Sequence, residues 1–141
     1  MERNGDVVEM TSYAPLLAKE GHENWRPDMV FFDNDSIRLT PDYHVQKMYG
    51  TNSGTVYFPA KASLSEKSED VSRRFGYSIV KDEESGDVIL KVANLLPVTV
   101  DVNADLKSLA VCDGEASVSI LSGSPAEEHA LRGFLHPEHH K

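Results

Sequence analysis

The sequence predicts a mainly β protein with an antiparallel β-sandwich, preceded by a strand, a loop and a helix of different character. Residues 97–106 alternate strictly between apolar and polar side chains, as a strand does when one face of its sheet is buried. From Thr55 onward, strand-like segments follow one another with polar turns between them, which favours a sandwich or a barrel of antiparallel strands. Residues 1–54 differ in composition, since they hold Trp25, three of the five tyrosines and all four methionines.

The strand candidates of the second part of the chain are short. The apolar face of residues 97–106 consists of Val98, Val100, Val102, Ala104 and Leu106. The other predicted strands are residues 55–58, 75–81, 88–93 and 117–121. Residues 82–87 consist of Asp, Glu, Ser and Gly, which predicts a turn between two of these strands.

The first part of the chain predicts a single strand and then a long loop. Gly5 is expected to end a short helical turn, because glycine readily adopts the left-handed conformation found there. Residues 7–13 combine β-branched and apolar side chains, which favours a strand, and Pro15 is expected to end it. Residues 19–39 predict an irregular loop, and loops of this length inside compact domains are usually functional or flexible.

A helix is predicted after this loop, over residues 41–49. Thr40 is expected to cap it with its hydroxyl, Pro41 suits the first helical position, and the acidic Asp42 suits the positive end of the helix dipole. Gly50 is expected to end the helix. The apolar stripe of the helix consists of Val45, Met48 and Tyr49.

The strand, loop and helix together form half of a parallel βαβ unit. In such units the strand normally pairs with neighbouring strands on both sides. The sequence contains no further β–α repeat that would supply those neighbours. Either residues 7–13 join the sandwich, or the chain is a fragment whose neighbouring strands are missing from it.

Composition and charge exclude several classes of protein. The 141 residues are 40% apolar and 26% charged, which is typical of a globular domain rather than a disordered chain. The net charge of −9 argues against binding to nucleic acid. No apolar run approaches the ~20 residues of a membrane span, and the first six residues lack the apolar core of a secretory signal. The single cysteine, Cys112, leaves no internal disulfide.

Three groups of side chains are candidates for a catalytic or metal-binding site. Acidic residues crowd the first part of the chain: Glu9, Glu20, Glu23, Asp28, Asp33 and Asp35. Glycoside hydrolysis needs two carboxylates about 5–9.5 Å apart, but sequence spacing alone does not show that any two of these converge, so a solvated acidic loop is favoured. His136, His139 and His140 favour a disordered or tag-like end over a metal site, because Pro137 interrupts their spacing. Cys112 has no nearby histidine to activate it, so we expect an unreactive thiol.

The aromatic segment 24–34 is the most distinctive part of the sequence. It places Trp25, Phe31 and Phe32 among polar side chains. Aromatic faces beside polar groups suit the recognition of a sugar ring, which presents both C–H groups and hydroxyls. They suit a loop packed on a neighbouring domain equally well, so the residues themselves leave both interpretations open.

Three segments closely resemble the end of the catalytic barrel in α-L-arabinofuranosidases of glycoside hydrolase family fifty-one. They are ERNGDVVEMTSYAPLLA (residues 2–18), WRPDMVFFDN (residues 25–34) and TPDYHVQKMY (residues 40–49). These matches are long and occur in the family's order, so the resemblance is specific over about the first 54 residues. It is weaker over residues 88–106 and 117–123.

The resemblance implies a (β/α)8 barrel that carries catalysis, followed by a jelly-roll-like antiparallel β-sandwich. Residues 1–54 would be the last β/α unit of that barrel, with residues 7–13 as its eighth strand. Residues 55–135 would be the C-terminal β-sandwich, and residues 136–141 a flexible His-rich tail. The chain is then expected to be a fragment cut at both ends, although the sequence does not tell whether Met1 is a true start.

The implied activity is that of a retaining α-L-arabinofuranosidase, which releases terminal arabinofuranosyl residues from arabinan or arabinoxylan. The family's two catalytic glutamates lie on the fourth and seventh barrel strands, so no residue of this chain takes their role and the isolated chain is expected to be inactive. Active sites of such barrels lie at the C-terminal ends of the strands. Thr11, Ser12, Tyr13 and Trp25 are therefore candidates for the rim of the substrate pocket, and packing between barrel and sandwich is the alternative for them.

The expected partners are the catalytic barrel of the parent chain and an arabinose-containing polysaccharide or oligosaccharide. No cofactor, metal, nucleic acid or membrane is implied. A homo-oligomer is compatible with the resemblance, because a sandwich with uncovered edge strands invites association. A stand-alone carbohydrate-binding module, or a purely structural β-sandwich, is the alternative function. The compartment stays open between intracellular and exported.

Overall fold

A computed structural model describes residues 1–25, 28–66, 68–109 and 115–123, together with the backbone of residues 138–140. The strands are β1 (Leu17–Lys19), β2 (Val30–Phe32), β3 (Ile37–Leu39), β4 (Val56–Phe58), β5 (Phe75–Lys81), β6 (Val88–Asn94), β7 (Ala116–Val118) and β8 (Glu138–His140). The α-helices are α1 (Pro41–Thr51) and α2 (Glu69–Arg73), and 3₁₀ turns form at Glu2–Asn4 and Lys107–Leu109. Strands thus outnumber helices among the described elements, and most of the strand pairings are antiparallel.

The chain divides into two compact units, each described separately. The first unit comprises Met1–Glu9 and Asn52–Asp113, and the second comprises Met10–Thr51 and Gly114–Lys141. The first nine residues therefore belong with the strands β4, β5 and β6. The functional boundary after residue 54 stays a prediction.

The first unit is built on an antiparallel sheet in the order β4–β5–β6. β5 and β6 pair along their whole length, from Phe75 opposite Asn94 to Lys81 opposite Val88. Gly86 has φ +82° in the turn between them, a conformation that glycine adopts without steric cost. Val80 on β5 is only 2% exposed, so it is a core residue of this unit.

The second unit contains the sheet β1–β2–β3, in which β1 and β2 are parallel and β2 and β3 are antiparallel. Its buried apolar side chains are Ala18, Met29 and Phe31. Helix α1 follows β3 directly. Thr40, at the junction, is buried and its hydroxyl donates a hydrogen bond to the Met29 carbonyl oxygen at 2.6 Å. β7 and β8 form a separate antiparallel pair.

Several predicted elements are confirmed at or near their predicted bounds. The predicted helix forms but continues through Gly50 to Thr51, and the predicted cap Thr40 instead bonds to Met29. The strand predicted at 75–81 is confirmed, and the strand predicted at 88–93 extends by one residue. The strands predicted at 55–58 and 117–121 form as the shorter β4 (Val56–Phe58) and β7 (Ala116–Val118). The short turn Glu2–Asn4 ends at Gly5 as predicted, although Gly5 is right-handed with φ −66°. Residues 138–140, predicted as part of a flexible tail, form β8.

The prediction of a strand at residues 7–13 is wrong. The amides of Val7 and Val8 donate to the Asn4 carbonyl oxygen at 3.1 and 2.9 Å, so the chain turns there before it becomes irregular. The side chain of Met10 is 87% exposed. A strand of a parallel sheet needs a neighbour to pair its backbone amides and carbonyls. No other described segment pairs with residues 7–13, which explains why their strand propensity is not realised.

The prediction of a strand at residues 97–106 is also wrong. In the structure this segment is irregular, and Val98 and Val102 on its apolar face are exposed. The Asn94 side-chain amide donates to the Val98 carbonyl oxygen at 2.8 Å, which turns the chain away from the end of β6. Alternation identifies the face that a strand would bury, but the strand forms only where a partner strand exists, and none of the described strands pairs here.

The loop predicted over residues 19–39 contains two strands, β2 and β3. The turn between them is organised by Asp33, whose carboxylate accepts hydrogen bonds from the amides of Asp35 at 2.8 Å and Ser36 at 2.6 Å. This Asx turn reverses the chain within four residues. The short strands were missed because polar turn residues separate them and break the apolar run.

A search of the described residues found no helix both long and apolar enough to cross a membrane.

Candidate functional site

The four residues predicted to line a pocket rim all lie in the second unit. Thr11 and Ser12 are exposed, and Trp25 exposes 64% of its side chain. Tyr13 is half-buried. The segment that carries Thr11, Ser12 and Tyr13 leads directly into β1, while Trp25 lies in the connection between β1 and β2.

Tyr13 is the best-anchored of the four. Its hydroxyl donates a hydrogen bond to Oδ2 of Asp42 at 2.7 Å, which ties the segment before β1 to the first turn of α1. This hydrogen bond is the main cause that raises the pKa of Tyr13, followed by burial and by the negative charges of Asp42 and Asp28. The phenol therefore remains a neutral hydrogen-bond donor in a fixed orientation.

Asp28 is a buried acid close to this pair. It is 3% exposed, and its Oδ2 atom has no hydrogen-bond partner among the described residues. Its charge acts on Tyr13, so the two groups lie within electrostatic range. Burial of a carboxylate oxygen is costly unless a donor satisfies it, so Asp28 is distinct from the exposed acids of this segment.

Backbone hydrogen bonds fix the chain immediately after Asp28. The Met29 amide donates to the Pro15 carbonyl oxygen at 3.3 Å, and the Val30 amide donates to that of Leu16 at 3.0 Å. The Met29 carbonyl oxygen in turn accepts from the Thr40 amide at 3.2 Å. Asp28 thus stands where the chain enters the middle strand of the sheet, beside the start of α1.

Arg38 joins β3 to the other two strands of the sheet. Its guanidinium pairs with Oε1 of Glu20 at 2.5 Å and lies 4.3 Å from the centroid of the Phe31 ring. The cation–π contact and the ion pair together hold a charged side chain over the buried β2 strand. Glu20 therefore serves local structure, whereas Asp28, at 3% exposure, departs from the solvated acidic loop that the sequence predicts.

Asp33 has a local role as well. Hydrogen bonds from the amides of Asp35 and Ser36 and from the Ser36 hydroxyl lower the pKa of its carboxyl group. It stays ionised and organises the β2–β3 turn.

The other candidates add no described site. Within the described residues, no group of three or more His, Cys, Asp or Glu side chains is placed to hold a metal ion. Cys112 and His136 lie outside the described residues, and only the backbone is described for His139 and His140.

Sequence reasoning did not foresee the contact between Tyr13 and Asp42. Asp42 was assigned only a favourable place near the start of the helix, where its charge complements the helix dipole. The two residues are 29 positions apart, so no local pattern could indicate that they meet. The only available signal was that both belong to segments that resemble one family.

Comparison with known proteins decides the family. Residues 1–132 match a family model described as the alpha-L-arabinofuranosidase C-terminal domain. The chain belongs to this family. The resemblance to α-L-arabinofuranosidases is thereby confirmed, and the predicted fold class, a mainly β chain of antiparallel sheets as in the C-terminal β-sandwich, is confirmed with it.

Individual relatives carry the same name. The chain is 48% identical over 63 residues to an extracellular exo-alpha-L-arabinofuranosidase of Streptomyces chartreusis, an alignment that covers 45% of this chain and 8% of that enzyme. It is 41% identical over 54 residues to alpha-L-arabinofuranosidase 1 of Arabidopsis thaliana, covering 38% of this chain and 8% of the relative. Alpha-L-arabinofuranosidase A of Aspergillus kawachii is 44% identical over 55 residues, or 38% of this chain and 9% of that enzyme.

A solved structure supports the same assignment. The arabinose-bound MgGH51 α-L-arabinofuranosidase matches 66% of this chain with a TM-score of 0.57 and 31% sequence identity. The match covers 14% of that enzyme. The chain thus spans less than a tenth of the curated relatives described above and about a seventh of this structural relative.

Proposed function

We propose that this chain is the C-terminal part of a retaining α-L-arabinofuranosidase that releases terminal arabinofuranosyl residues from arabinan or arabinoxylan. The match of residues 1–132 to the C-terminal domain family of these enzymes carries the proposal. In it, residues 1–54 complete a catalytic barrel, and the β-sandwich of residues 55–135 supports that barrel.

The exposed apolar side chains and the irregular backbone within residues 7–17 support this assignment. Val7, Met10, Leu16 and Leu17 are large apolar side chains that are exposed in the structure. Residues 9–13 form no strand, although their composition favours one. A seventh barrel strand on one side and a first on the other would pair the backbone and bury these side chains.

The proposed place of the rim residues follows from the same geometry. In a (β/α)8 barrel the loop after each strand lies on the active-site face. Tyr13, at the end of the proposed eighth strand, and Trp25, in the loop beyond it, would then lie on that face. The hydrogen bond from Tyr13 to Asp42 would orient the phenol there, with its proton held by the phenol rather than lost.

Catalysis would depend on carboxylates outside this chain. A retaining glycosidase forms and then hydrolyses a covalent glycosyl-enzyme intermediate, using two carboxyl groups about 5–5.5 Å apart. The residues of this chain would shape the pocket and exclude water from it. They would not react with the sugar. Homo-oligomer formation stays a prediction.

An activity assay tests the proposal. The purified 141-residue chain should release no aryl group from an aryl α-L-arabinofuranoside. A chimera, in which this chain replaces the corresponding segment of the Streptomyces chartreusis enzyme, should hydrolyse the same substrate. A second chimera with residues 9–13 replaced by Gly and Ser is the control, and it should lose activity because the eighth strand cannot form. Turnover by the isolated chain, or an inactive but folded first chimera, would overturn the proposal.

A further inference from the structure

A charged contact holds the first residues of the chain on the sheet of the first unit. The Glu2 carboxylate accepts hydrogen bonds from the Ser78 hydroxyl on β5 and from the Lys91 ammonium on β6. Ser78 and Lys91 are direct partners in the register of the two strands, so they present their side chains on the same face. The side chain of Lys91 is only 9% exposed.

The neighbouring residue extends this contact to the third strand of the sheet. Arg3 donates from Nε to the Tyr57 hydroxyl on β4 at 3.3 Å. Tyr57 is opposite Val80, which lies two residues from Ser78, so Tyr57 belongs to the same face. The 3₁₀ turn Glu2–Asn4 therefore reaches all three strands through two adjacent side chains.

The Glu2–Lys91 pair differs from an ordinary surface ion pair. An ammonium group with little access to water is costly unless a counter-charge and hydrogen bonds compensate it. Glu2 supplies that charge, and Ser78 supplies a second donor to the same carboxylate. The pair of Arg73 and Glu69 on α2, by contrast, is largely exposed on both sides, and such pairs contribute little.

Glu2, the residue that makes this contact, lies just before the segment that leads to the proposed rim residues. The Asn4 carbonyl oxygen, at the end of the 3₁₀ turn, accepts the amides of Val7 and Val8. The position of Val7 and Val8 thus depends on where the turn is held. Thr11 follows three residues later in the sequence.

We propose that Glu2, Ser78 and Lys91 form a clasp that fixes the entry of the barrel-completing strand on the β-sandwich. Glu2 and Lys91 are then positioning residues, which set where Val7 and Val8 leave the sheet of the first unit. The clasp itself lies within the first unit, and only its role toward a catalytic barrel rests on the proposed function.

The clasp requires an ionised Glu2. Burial opposes ionisation, but the hydrogen bonds from Lys91 and Ser78 and the positive charges of Lys91 and the terminal amino group outweigh it, so the pKa of Glu2 is lowered. Tyr57 of β4 bonds to Arg3 rather than to Glu2, and Tyr77 of β5 lies within electrostatic range of Arg3. A carboxyl group with a lowered pKa stabilises the folded state above its unfolded pKa, and that stabilisation is lost as the pH falls through the folded pKa.

Trypsin cleavage after Arg3 tests the clasp in the full 141-residue chain. The substitutions Lys91→Met and Glu2→Gln should each raise the rate at which residues 1–3 are lost, measured by mass spectrometry, by about tenfold, because each removes the ion pair that holds the turn on the sheet. Glu69→Gln, which breaks the exposed pair on α2, should leave the rate unchanged. Synthetic peptides of residues 1–13, with and without Glu2→Gln, measure how the side chain at position 2 itself changes the rate of trypsin cleavage after Arg3. The rates in the full chain are corrected by this ratio.

A pH titration of Glu2 by nuclear magnetic resonance separates a clasp from general packing. The pH midpoint of the Glu2 carboxyl titration should lie below that of an ordinary glutamate. It should rise in the Lys91→Met variant. If Lys91→Met does not fold, Ser78→Ala should raise the midpoint by a smaller amount. Unchanged cleavage rates, or a midpoint insensitive to both substitutions, would overturn the clasp. An inactive chimera with a confirmed clasp would refute only the proposed function, and an active chimera with unchanged cleavage would refute only the clasp.

Discussion

Replacement of Phe31 by alanine is expected to lower the free energy of unfolding of the second unit by about 3–5 kcal/mol, as full truncation of a buried aromatic side chain does. Phe31 is the middle residue of the middle strand β2, and it is only 3% exposed. Its loss leaves a cavity beneath the sheet. It also removes the ring on which the Arg38 guanidinium lies, 4.3 Å from the centroid.

The neighbouring phenylalanine provides a matched control. Phe32 lies on the opposite face of the same strand and is 37% exposed. Phe32→Ala should therefore destabilise the unit by clearly less than Phe31→Ala, as measured by urea denaturation followed by tryptophan fluorescence. Trp25, the sole tryptophan, lies in this unit and reports on it. An equal decrease in the free energy of unfolding for the two substitutions would contradict the assignment of Phe31 to the core.

Replacement of Gly54 by alanine is expected to destabilise the first unit by about 1–3 kcal/mol, the usual cost of overpacking a core. An added Cβ atom would stand 2.7 Å from both Cβ and Cγ2 of Val80 and 2.9 Å from the Lys81 carbonyl oxygen. Val80 is buried, and the Lys81 carbonyl oxygen is held by the Thr55 amide at 2.8 Å. Neither group can therefore move away cheaply.

Gly50→Ala is the control for this substitution. Nothing lies within 4 Å of a Cβ atom added at Gly50, which belongs to helix α1. Alanine favours the helix over glycine by about 0.5–1 kcal/mol, so stability should be unchanged or slightly raised. Thermal unfolding followed by circular dichroism measures both variants. A Gly54→Ala protein as stable as the parent would show that Val80 is not packed against this position.

Local signals predicted the elements that can form within a few residues. Helix α1 was found because proline at its first position and an acid in its first turn act locally. Strands β5 and β6 were found because a polar turn with Gly86 joins two apolar segments that pair with each other. The signals for these elements therefore lie within short stretches of the chain, although β5 also pairs with β4.

The failures concern elements that depend on a partner. Residues 7–13 and 97–106 have the composition of strands, but composition cannot show whether a neighbouring strand is present to complete the hydrogen bonds. β2 and β3 were missed for the opposite reason. Each strand is only three residues long, and β3 has Arg38 at its centre, so pairing with β1 and through the Asp33 turn makes them strands.

The contacts around the proposed rim residues were not predicted from the sequence. The exposure of Trp25 fits a rim residue, yet no sequence pattern reveals that Asp42 orients Tyr13 or that Asp28 is buried beside them. The clasp of Glu2 with Lys91 joins residues 89 positions apart. Such long-range pairs are set by the fold, and single-sequence reasoning has no access to them. The role of Thr11, Ser12, Tyr13 and Trp25 in a pocket remains a prediction.

Amide hydrogen exchange at residues 9–13 tests the central claim most directly. In the isolated chain these amides make no hydrogen bond to any described backbone carbonyl, so they should exchange nearly as fast as in an unfolded peptide. In the active chimera the same amides should become protected to the level of its other barrel strands. Strong protection in the isolated chain, or continued fast exchange in a folded and active chimera, would contradict the claim that residues 7–13 complete a barrel.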